Sequence, residues 1–285
     1  MDTLQALVIA VVQGATELFP ISSLGHAVVM PALLGWNLNQ KSPEFLPFLV
    51  LLHTGTALAL LGYFWRDWLA LGLGVLGLGD KRRVPEARRM LMLIVVATIP
   101  AVVLGFVFNR FFRDLFALPL IAAGFLVLNG LVLLFGERLR GKSDASATAK
   151  PLSALTPLDA ALIGAWQCGA LLPGISRAGT TMVGGLLRGL NHEGSAHFSF
   201  LIALPIIVGA TVLEVPHLLH ESVAPGVFRQ AFVAAVVAGL TALAATALLM
   251  RWFRGNDRWA LNPFAYYCIA VGLGSAAYLR FGAGA

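Results

Sequence analysis

Apolar stretches separated by short polar segments run through most of the chain. Six of these stretches are long enough to cross a bilayer as a helix, which takes roughly 17 to 25 residues. They lie at 45–65, 91–109, 117–136, 197–214, 230–250 and 259–279. The pattern therefore predicts six transmembrane helices.

Two further apolar regions, 4–35 and 152–187, are too long for one helix and are interrupted near their middle by Pro, Gly and Ser. Irregular backbone is tolerated inside a membrane only where it is buried in protein or lines a wet cavity. We interpret both regions as re-entrant helical hairpins, which enter and leave the membrane on the same side. The helices of the second hairpin are expected at 157–187.

The two interruptions resemble each other. Residues 20–25 match residues 173–179 when Gly174 is treated as an insertion, and Gly55 and Gly209 keep the same offset. Each half is then a hairpin followed by three spans, and this odd number turns the second half upside down relative to the first. Because inverted repeats place their broken helices near the midplane at the repeat interface, we expect the two interruptions to meet.

This organisation divides the chain into a first repeat at 1–140, a linker at 141–156 and a second repeat at 157–285. The linker is rich in Ser, Ala, Thr and Lys, a composition typical of flexible segments. The expected fold is an all-α polytopic membrane protein with an inverted-topology repeat, six transmembrane helices and two re-entrant hairpins.

Composition supports a membrane protein. Of the 285 residues, 58% are hydrophobic and 12% are charged, whereas a soluble domain has about twice that charged share. The net charge of +6 does not indicate nucleic-acid binding, because the Lys and Arg side chains are concentrated in loops at 66–90, 137–150 and 251–258. Basic loops between membrane spans are typically cytoplasmic.

Other sequence features exclude several classes of site. Cys168 and Cys268 lie in apolar segments, which indicates small buried side chains and no disulfide framework or zinc site. The sequence has no phosphate-binding loop and no dinucleotide fingerprint. The first residues lack the basic region and cleavage site of a secretory signal, so we expect the mature chain to begin at Met1.

The first interrupted region carries a carboxylate, hydroxyls and an imidazole. Glu17 lies in an apolar setting, where an ionisable group costs a few kcal/mol and marks a functional site. Gln13 lies one helical turn earlier on the same face. Ser22, Ser23 and His26 follow the break, so Glu17, Ser23 and His26 supply a base, a nucleophile and an acid. The plainer alternatives are serines that bond to their own backbone and a histidine that only packs.

The second interrupted region is suited to phosphate. Arg177 offers a planar, permanently charged fork for phosphate oxygens, and in an apolar segment it needs an anionic partner, either Glu17 or a substrate phosphate. Gly174 and Gly179 leave backbone amide groups accessible in this region, and Ser and Thr side chains between 176 and 181 offer hydroxyl groups. The residues expected to contact phosphate in the two regions are Gln13, Ser22, Gly174, Ser176, Gly179, Thr180 and Thr181.

Three functions are compatible with this arrangement to different degrees. Inverted repeats with broken helices are a transporter architecture, so a transporter or lipid flippase is the main alternative to a hydrolase. A carrier needs Arg177 and hydroxyls but has less need of Glu17, Ser23 and His26 together. A structural membrane protein without catalytic activity would need neither Glu17 nor Arg177 in an apolar segment. His53, in the middle of a span, is left open between lining the cavity and packing.

The two motifs resemble those of a known family, the bacterial undecaprenyl-diphosphate phosphatases of the integral-membrane, bacitracin-resistance type. Members share a Glu-or-Gln-x-x-x-Glu segment that runs into P-x-S-S-x-G-H, and a later P-G-x-S-R-S-x-x-T. These segments stand here at 13–17, 20–26 and 173–181. The resemblance implies hydrolysis of undecaprenyl diphosphate to undecaprenyl phosphate and inorganic phosphate, which recycles the lipid carrier for cell-wall glycans. Catalytic roles carried over from it fall on Glu17, Ser23, His26, Ser176, Arg177 and Thr181.

The same resemblance implies a bacterial inner-membrane location, a site that opens towards the periplasm and a polyprenyl diphosphate lipid as the bound partner. It also implies an assisting divalent cation, Mg²⁺ or alternatively Ca²⁺, with Glu17 as the candidate ligand; a homodimer is left open. Two positions depart from the family pattern. Gln13 replaces a carboxylate, which weakens the case for tight metal coordination by the protein, and Ala178 replaces a hydroxyl that would face phosphate.

Overall fold

A computed structural model describes residues 2–36, 38, 45–78, 84–108, 111, 115, 118–140, 149–220 and 225–282. The regular elements of these residues are helices. The α-helices are α1 Thr3–Thr16, α2 Ser23–Leu33, α3 Phe45–Tyr63, α4 Trp65–Val75, α5 Val84–Val107, α6 Pro119–Arg140, α7 Pro157–Gln167, α8 Arg177–Leu187, α9 His192–His220, α10 Pro225–Gly255 and α11 Asn262–Ala277. Short helical turns lie at Leu152–Ala154, Cys168–Leu171 and Tyr278–Gly282.

Five of the described helices are long and apolar enough to cross a membrane, and a sixth span results if α3 is counted with α4. Apolar side chains such as Val95, Val103 and Phe106 on α5 are exposed and present a surface suited to lipid. The all-helical, polytopic class predicted from the sequence is therefore confirmed.

The predicted basic loop at 66–90 is wrong in part. Residues 65–75 form α4, which turns by 79° from the preceding helix, and α5 already begins at Val84. Leu71 and Gly74 are buried on α4, while Trp65 and Leu69 are exposed. Such a short amphipathic helix lies naturally along a membrane surface, whereas a hydropathy window detects only helices that cross it.

The predicted hairpins appear as two pairs of short helices, α1 with α2 and α7 with α8. In both pairs the second helix begins with the same cap: Ser22 Oγ accepts from Gly25 N at 3.2 Å, and Ser176 Oγ accepts from Gly179 N at 3.0 Å. The first helical residues after these caps are Ser23 and Arg177. Two different functional side chains therefore occupy equivalent positions at the two helix starts.

Each short pair packs against a long helix of the other half of the chain. α1 packs against α10, and α7 packs against α5. Small residues allow these close approaches, because an added methyl group on Gly14 would lie 2.3 Å from Ala238 O, and one on Gly164 would lie 2.2 Å from Ala97 O. The crossed packing brings the two chain breaks to the middle of the molecule.

Asn129 of α6 joins the two breaks directly. Its Nδ2 donates to Pro20 O at 2.9 Å, and its Oδ1 accepts from Ser176 N at 2.9 Å. Asn129 is fully buried. The breaks also touch each other, since an added methyl group on Gly25 would lie 2.9 Å from Gly174 Cα. The expectation that the two interruptions meet is therefore met by direct contact.

A second polar network closes the opposite end of the helix bundle. His192 Nε2 lies 2.8 Å from Glu137 Oε1, which also accepts from Leu261 N at 2.6 Å. Asp257 accepts from Arg140 Nη2 at 2.7 Å and from His192 N at 3.0 Å. Partial burial opposes ionisation of Asp257, but these hydrogen bonds hold its pKa at about 2. The network fastens α6, α9 and the loop before α11.

The predicted linker lies only partly within the described residues, since 141–148 fall outside them. Its described end is fixed by charge: Asp159 Oδ2 accepts from Lys150 Nζ at 2.5 Å, and Asp159 Oδ1 accepts from Arg188 Nε at 2.7 Å. These pairs connect residue 150 to the start of α7 and the end of α8. The second short pair is thereby anchored at its outer ends as well as at its break.

Candidate active site

The two breaks open into a cavity of about 230 Å³. Its apolar walls come from α2, α3, α5, α9 and the turn before the second break, and include Leu24, Val50, Ala101, Leu171 and Ile207. Its polar side chains are Glu17, Ser22, Ser23, His53, Gln167, Ser176 and Arg177. Polar side chains that the sequence predicts for each of the two interruptions therefore line one cavity.

Glu17 is the centre of this polar group. Its Oε2 accepts from Ser23 Oγ at 2.5 Å and from Gln13 Nε2 at 3.0 Å. His53 Nε2 lies 3.2 Å from the same oxygen, and Arg177 Nη2 donates to Oε1 at 3.2 Å. The buried carboxylate is therefore surrounded by donors, two of them on side chains that can carry positive charge, which offsets the cost of its burial.

The short Ser23–Glu17 contact has the geometry of a nucleophile and its base. A hydroxyl becomes a useful nucleophile when an adjacent base accepts its proton, and a distance of 2.5 Å lies at the short end for an O–H···O bond. Ser23 is the first residue of α2, so its backbone is fixed by the Ser22 cap that begins the helix. The structure therefore places a hydroxyl against a carboxylate oxygen of Glu17, in the cavity that Arg177 also lines.

Arg177 is held by groups from two other elements. Besides its bond to Glu17, its Nη1 donates to Ser199 O at 3.3 Å. Thr181 Oγ1 donates to Arg177 O at 2.7 Å and lies 2.6 Å from Ser199 Oγ. These bonds fix the first turn of α8, so that the guanidinium points into the cavity.

The remaining residues expected at phosphate differ in position. Ser22 and Ser176 line the cavity but also act as helix caps. Thr180 and Thr181 donate to carbonyl groups of their own helix. Within the described structure, the residues of this group that do not line the cavity are Gln13, Gly174, Gly179, Thr180 and Thr181. Their direct contact with phosphate stays a prediction.

His26 lies beside the cavity and faces away from its described lining. Its Nδ1 lies 2.7 Å from Ser22 O, a carbonyl that can only accept, so Nδ1 carries a proton. Its Nε2 lies 2.9 Å from Tyr267 OH, and the two rings are stacked at 5.7 Å. The catalytic role expected for His26 stays a prediction, and this geometry suits support of the backbone at Ser22.

Two polar cavity residues were not assigned to the site from the sequence. The sequence does not decide whether His53 lines the cavity or packs, and the structure places its Nε2 3.2 Å from Glu17 Oε2. Gln167 carries one signal in the sequence, because it stands 154 positions after Gln13, the offset that also relates Ser22 to Ser176. Gln13 Oε1 and Gln167 Oε1 are both buried without a hydrogen-bond partner among the described atoms. Such orphaned acceptors are rare in proteins, and Gln167 Oε1, whose side chain lines the cavity, is available to a bound water or ligand.

The residues present do not build a metal site of their own. In the part of the chain that the structure describes, no group of three or more His, Cys, Asp or Glu side chains is arranged to hold a metal ion. Glu17 is the one carboxylate in the described lining, and both of its oxygens already accept hydrogen bonds. Magnesium requires near-octahedral oxygen ligation, which this donor set does not provide.

Comparison with known proteins gives a consistent result. Residues 6–274 match the family model described as bacitracin resistance protein BacA. The chain is similar to an undecaprenyl-diphosphatase of Granulibacter bethesdensis, with 63% identity over 99% of this chain and 98% of the relative. It is also similar to undecaprenyl-diphosphatases of Acidiphilium cryptum, with 54% identity over 99% of this chain and 100% of the relative, and of Chromobacterium violaceum, with 45% identity over 96% and 97%.

Proposed function

The chain belongs to the bacitracin resistance protein BacA family, and we propose that it is an integral-membrane phosphatase that converts undecaprenyl diphosphate to undecaprenyl phosphate. The observation that carries this proposal is the Ser23–Glu17 hydrogen bond of 2.5 Å inside a cavity that also contains Arg177. A transporter does not require a base bonded to a hydroxyl, and the relatives carry the name of a diphosphatase. The hydrolase is therefore favoured over the flippase.

In the proposed reaction Ser23 Oγ attacks the terminal phosphorus of the lipid diphosphate. Glu17 Oε2 takes the hydroxyl proton across the existing hydrogen bond. The bond from the terminal phosphorus to the bridging oxygen breaks, and its electron pair leaves with the prenyl phosphate. Glu17 then gives up this proton, and water attacks the phosphoserine with Glu17 again as base. Ser23 Oγ leaves and takes a proton, and inorganic phosphate is released.

Arg177 supplies the main positive charge for this transfer. Phosphoryl transfer depends largely on positioning and on stabilisation of charge on the phosphate oxygens. The guanidinium is 3.2 Å from Glu17 in the structure, and an incoming phosphate competes with Glu17 for its donors. Binding of the substrate thus loosens the ion pair and leaves Glu17 free to accept a proton.

The cavity accommodates the head group and leaves the prenyl chain outside. Its volume of about 230 Å³ is below the roughly 300 to 1,000 Å³ of pockets that enclose drug-sized ligands. We expect the first isoprene units, which follow the diphosphate, to pass along the apolar wall residues Leu24, Val50 and Ile206. The rest of the chain is expected to lie along the lipid-exposed helix surfaces.

The expected divalent cation is best placed on the diphosphate itself. A cation bound by the substrate would neutralise part of the phosphate charge without a protein cage. Glu17 is already paired with Arg177 and His53, so the proposed steps do not use a metal ion held by the protein.

We also propose that the cavity opens to the periplasm and that the two halves are inverted repeats. The basic ends of α5 and α10, with Arg88 and Arg254, are expected in the cytoplasm. The cavity is lined from the opposite ends of the helices, by Val50 near the start of α3, Ala101 near the end of α5 and Ala210 beyond the middle of α9. The reciprocal packing of α1 on α10 and α7 on α5 supports the inversion.

Phosphate release by the purified protein from undecaprenyl diphosphate tests the proposed activity. Ser23→Ala and Glu17→Gln are expected to lower the rate by about 10²- to 10⁴-fold, as for loss of a general base or its nucleophile. Ser195→Ala removes a buried hydroxyl of α9 that has no hydrogen-bond partner among the described atoms, and it should remain close to the wild-type rate.

Acid quenching during turnover should recover phosphoserine at position 23, detected by mass spectrometry of the digested protein. Wild-type protein that releases no phosphate would show that the proposed activity is wrong. If the Ser23→Ala variant is active and the wild type forms no phosphoserine, the nucleophile is water and not Ser23.

A further inference from the structure

His53 is the imidazole that faces Glu17 in the described cavity lining. It lies near the middle of α3, and its side chain is 23% exposed, which leaves one edge open to a ligand in the cavity. Its Nδ1 lies 2.8 Å from Leu49 O, and its Nε2 lies 3.2 Å from Glu17 Oε2. Both ring nitrogens are therefore held in fixed directions.

These partners determine where the protons are. A backbone carbonyl only accepts, so Nδ1 of His53 carries a proton towards Leu49. Glu17 Oε2 already accepts from Gln13 and Ser23, so the hydrogen bond to His53 requires a second proton on Nε2. The geometry describes an imidazolium beside a carboxylate, with one mobile proton between Nε2 and Oε2.

The contrast with His26 shows why this arrangement is specific. His26 uses its Nδ1 proton on Ser22 O, and its Nε2 is engaged by Tyr267 OH outside the described cavity lining. His53 directs its Nε2 proton to the atom that accepts the proton of Ser23. Of these two imidazoles, His53 is the one that can exchange a proton with the reacting groups.

We propose that His53 is the general acid of the reaction, and this inference rests on the proposed phosphatase activity. As Ser23 Oγ bonds to the terminal phosphorus, its proton moves to Glu17 Oε2. The bond between that phosphorus and the bridging oxygen breaks, and the bridging oxygen takes the proton from His53 Nε2. The proton on Glu17 then passes 3.2 Å to His53, which restores the carboxylate and the imidazolium.

The second half of the reaction uses the same groups in the same roles. Water attacks the phosphoserine and gives a proton to Glu17, while Ser23 Oγ leaves and takes the proton of His53. One water is consumed, one inorganic phosphate is formed, and the protein returns to its starting protonation. His53 and Glu17 thus act as an acid–base pair in both steps.

The charge of the cavity also fits this assignment. The charged or titratable side chains of the described lining that face His53 are Glu17, directly after α1, and Arg177 from α8. The other described lining residues carry no charge. With an imidazolium, a guanidinium and one carboxylate in its lining, the cavity has a net positive charge. A cavity with this charge attracts a diphosphate, and it does not become negative when His53 gives one proton to the substrate.

The test is the pH profile of the rate for His53→Gln, which keeps a side-chain donor but has no transferable proton. The rate is measured as kcat and KM for release of phosphate from undecaprenyl diphosphate in detergent. We expect kcat to fall by about 10²-fold, the lower end of general acid catalysis, because a phosphate leaving group is weakly basic. KM should change little, and the alkaline decline of the wild-type profile should disappear.

A matched control is His197→Gln. His197 also faces a carboxylate from a neighbouring helix, with its Nε2 3.5 Å from Asp67 Oδ2, but it lines a different cavity. Its variant should keep the wild-type kcat and the alkaline decline. Thermal melting identifies any variant that does not fold, and His53→Asn, measured in the same way, replaces the Gln variant in that case.

The outcomes separate the two proposals. A folded His53 variant with wild-type kcat and an unchanged alkaline decline would overturn the role of His53 and leave the phosphatase intact. A rise in KM alone would also overturn it, because that result assigns His53 to substrate binding. Wild-type protein without phosphatase activity would remove the proposed function itself.

Discussion

Arg177 Nη2 and Glu17 Oε1 form an ion pair of 3.2 Å between residues 160 positions apart in the chain. Each side chain lies at a break between two short helices, and each would be costly in an apolar interior without the other. The pair therefore fixes the breaks against each other in the absence of substrate. In the proposed reaction the pair also makes phosphate binding a competition, since the same guanidinium would turn from a carboxylate to a phosphate.

The first prediction concerns Arg177. Arg177→Ala should lower kcat/KM by about 10²- to 10³-fold, the usual effect of losing one preorganised donor to a developing charge. Arg177→Lys keeps the charge but loses the planar fork, so it should recover only part of the loss. Phosphate release at several substrate concentrations measures both, and full activity of the Lys variant would show that the fork is not used.

The second prediction concerns Asn129, which bonds to Pro20 O and Ser176 N. Asn129→Ala leaves both buried backbone groups without this partner, at about 1–3 kcal/mol for an unsatisfied group. We expect a lower melting temperature and a lower kcat, because the Ser23 and Arg177 helix starts lose their common support. Asn256→Ala, which removes an exposed amide bonded to Trp252 O, is the matched control. Equal melting temperatures for the two variants would contradict the bridging role.

The third prediction concerns Gly174, whose φ of +107° is unfavourable for any other residue. An added methyl group would also lie 2.3 Å from Ala122 O. Gly174→Ala should therefore shift the second break, at a cost of about 1–3 kcal/mol in backbone strain alone, and abolish most activity. Gly124→Ala adds the same methyl group where no atom lies within 4 Å. Similar melting curves for the two variants would show that the break tolerates displacement.

Much of this architecture could be predicted from the sequence because it depends on the composition of continuous segments. Spans of twenty or so apolar residues and the Pro, Gly and Ser interruptions are local signals, and a buried Arg177 requires an anion. The directions of single polar residues inside helices are different. His26 and His53 both stand in apolar surroundings, and only the rotation of α2 and α3 decides which ring faces Glu17.

The same limit applies to Asn129 and to α4. Asn129 is a single amide in an apolar span, and nothing in its neighbourhood reveals that two distant backbone groups meet it. α4 is too short and too polar to resemble a span, yet it buries Leu71 against α5 and α9 residues of one core cluster. The repeat pattern therefore predicts that the two breaks meet, but it does not reveal which single side chains join distant parts of the chain.

The last prediction concerns pH and the Asp257 network at the end of the bundle away from the cavity. The hydrogen bonds from Arg140 and His192 N hold the Asp257 pKa at about 2, below the value of about 3.9 for an unfolded aspartate. A lowered folded-state pKa contributes stability that is complete above about pH 4 and is lost as the pH falls towards about 2. The melting temperature of the detergent-solubilised protein should decline in that window.

Asp257→Asn separates this carboxylate from the others that titrate in the same range. It removes the charge at every pH, so its melting temperature should be lower than that of the wild type at pH 7, and the difference should shrink as the pH approaches 2. Phosphate release at pH 7 by the folded variant should stay close to the wild-type rate, because Asp257 lies in the loop before α11 and not in the described cavity lining. A difference in melting temperature that stays constant between pH 7 and pH 2 would show that ionised Asp257 does not stabilise the fold.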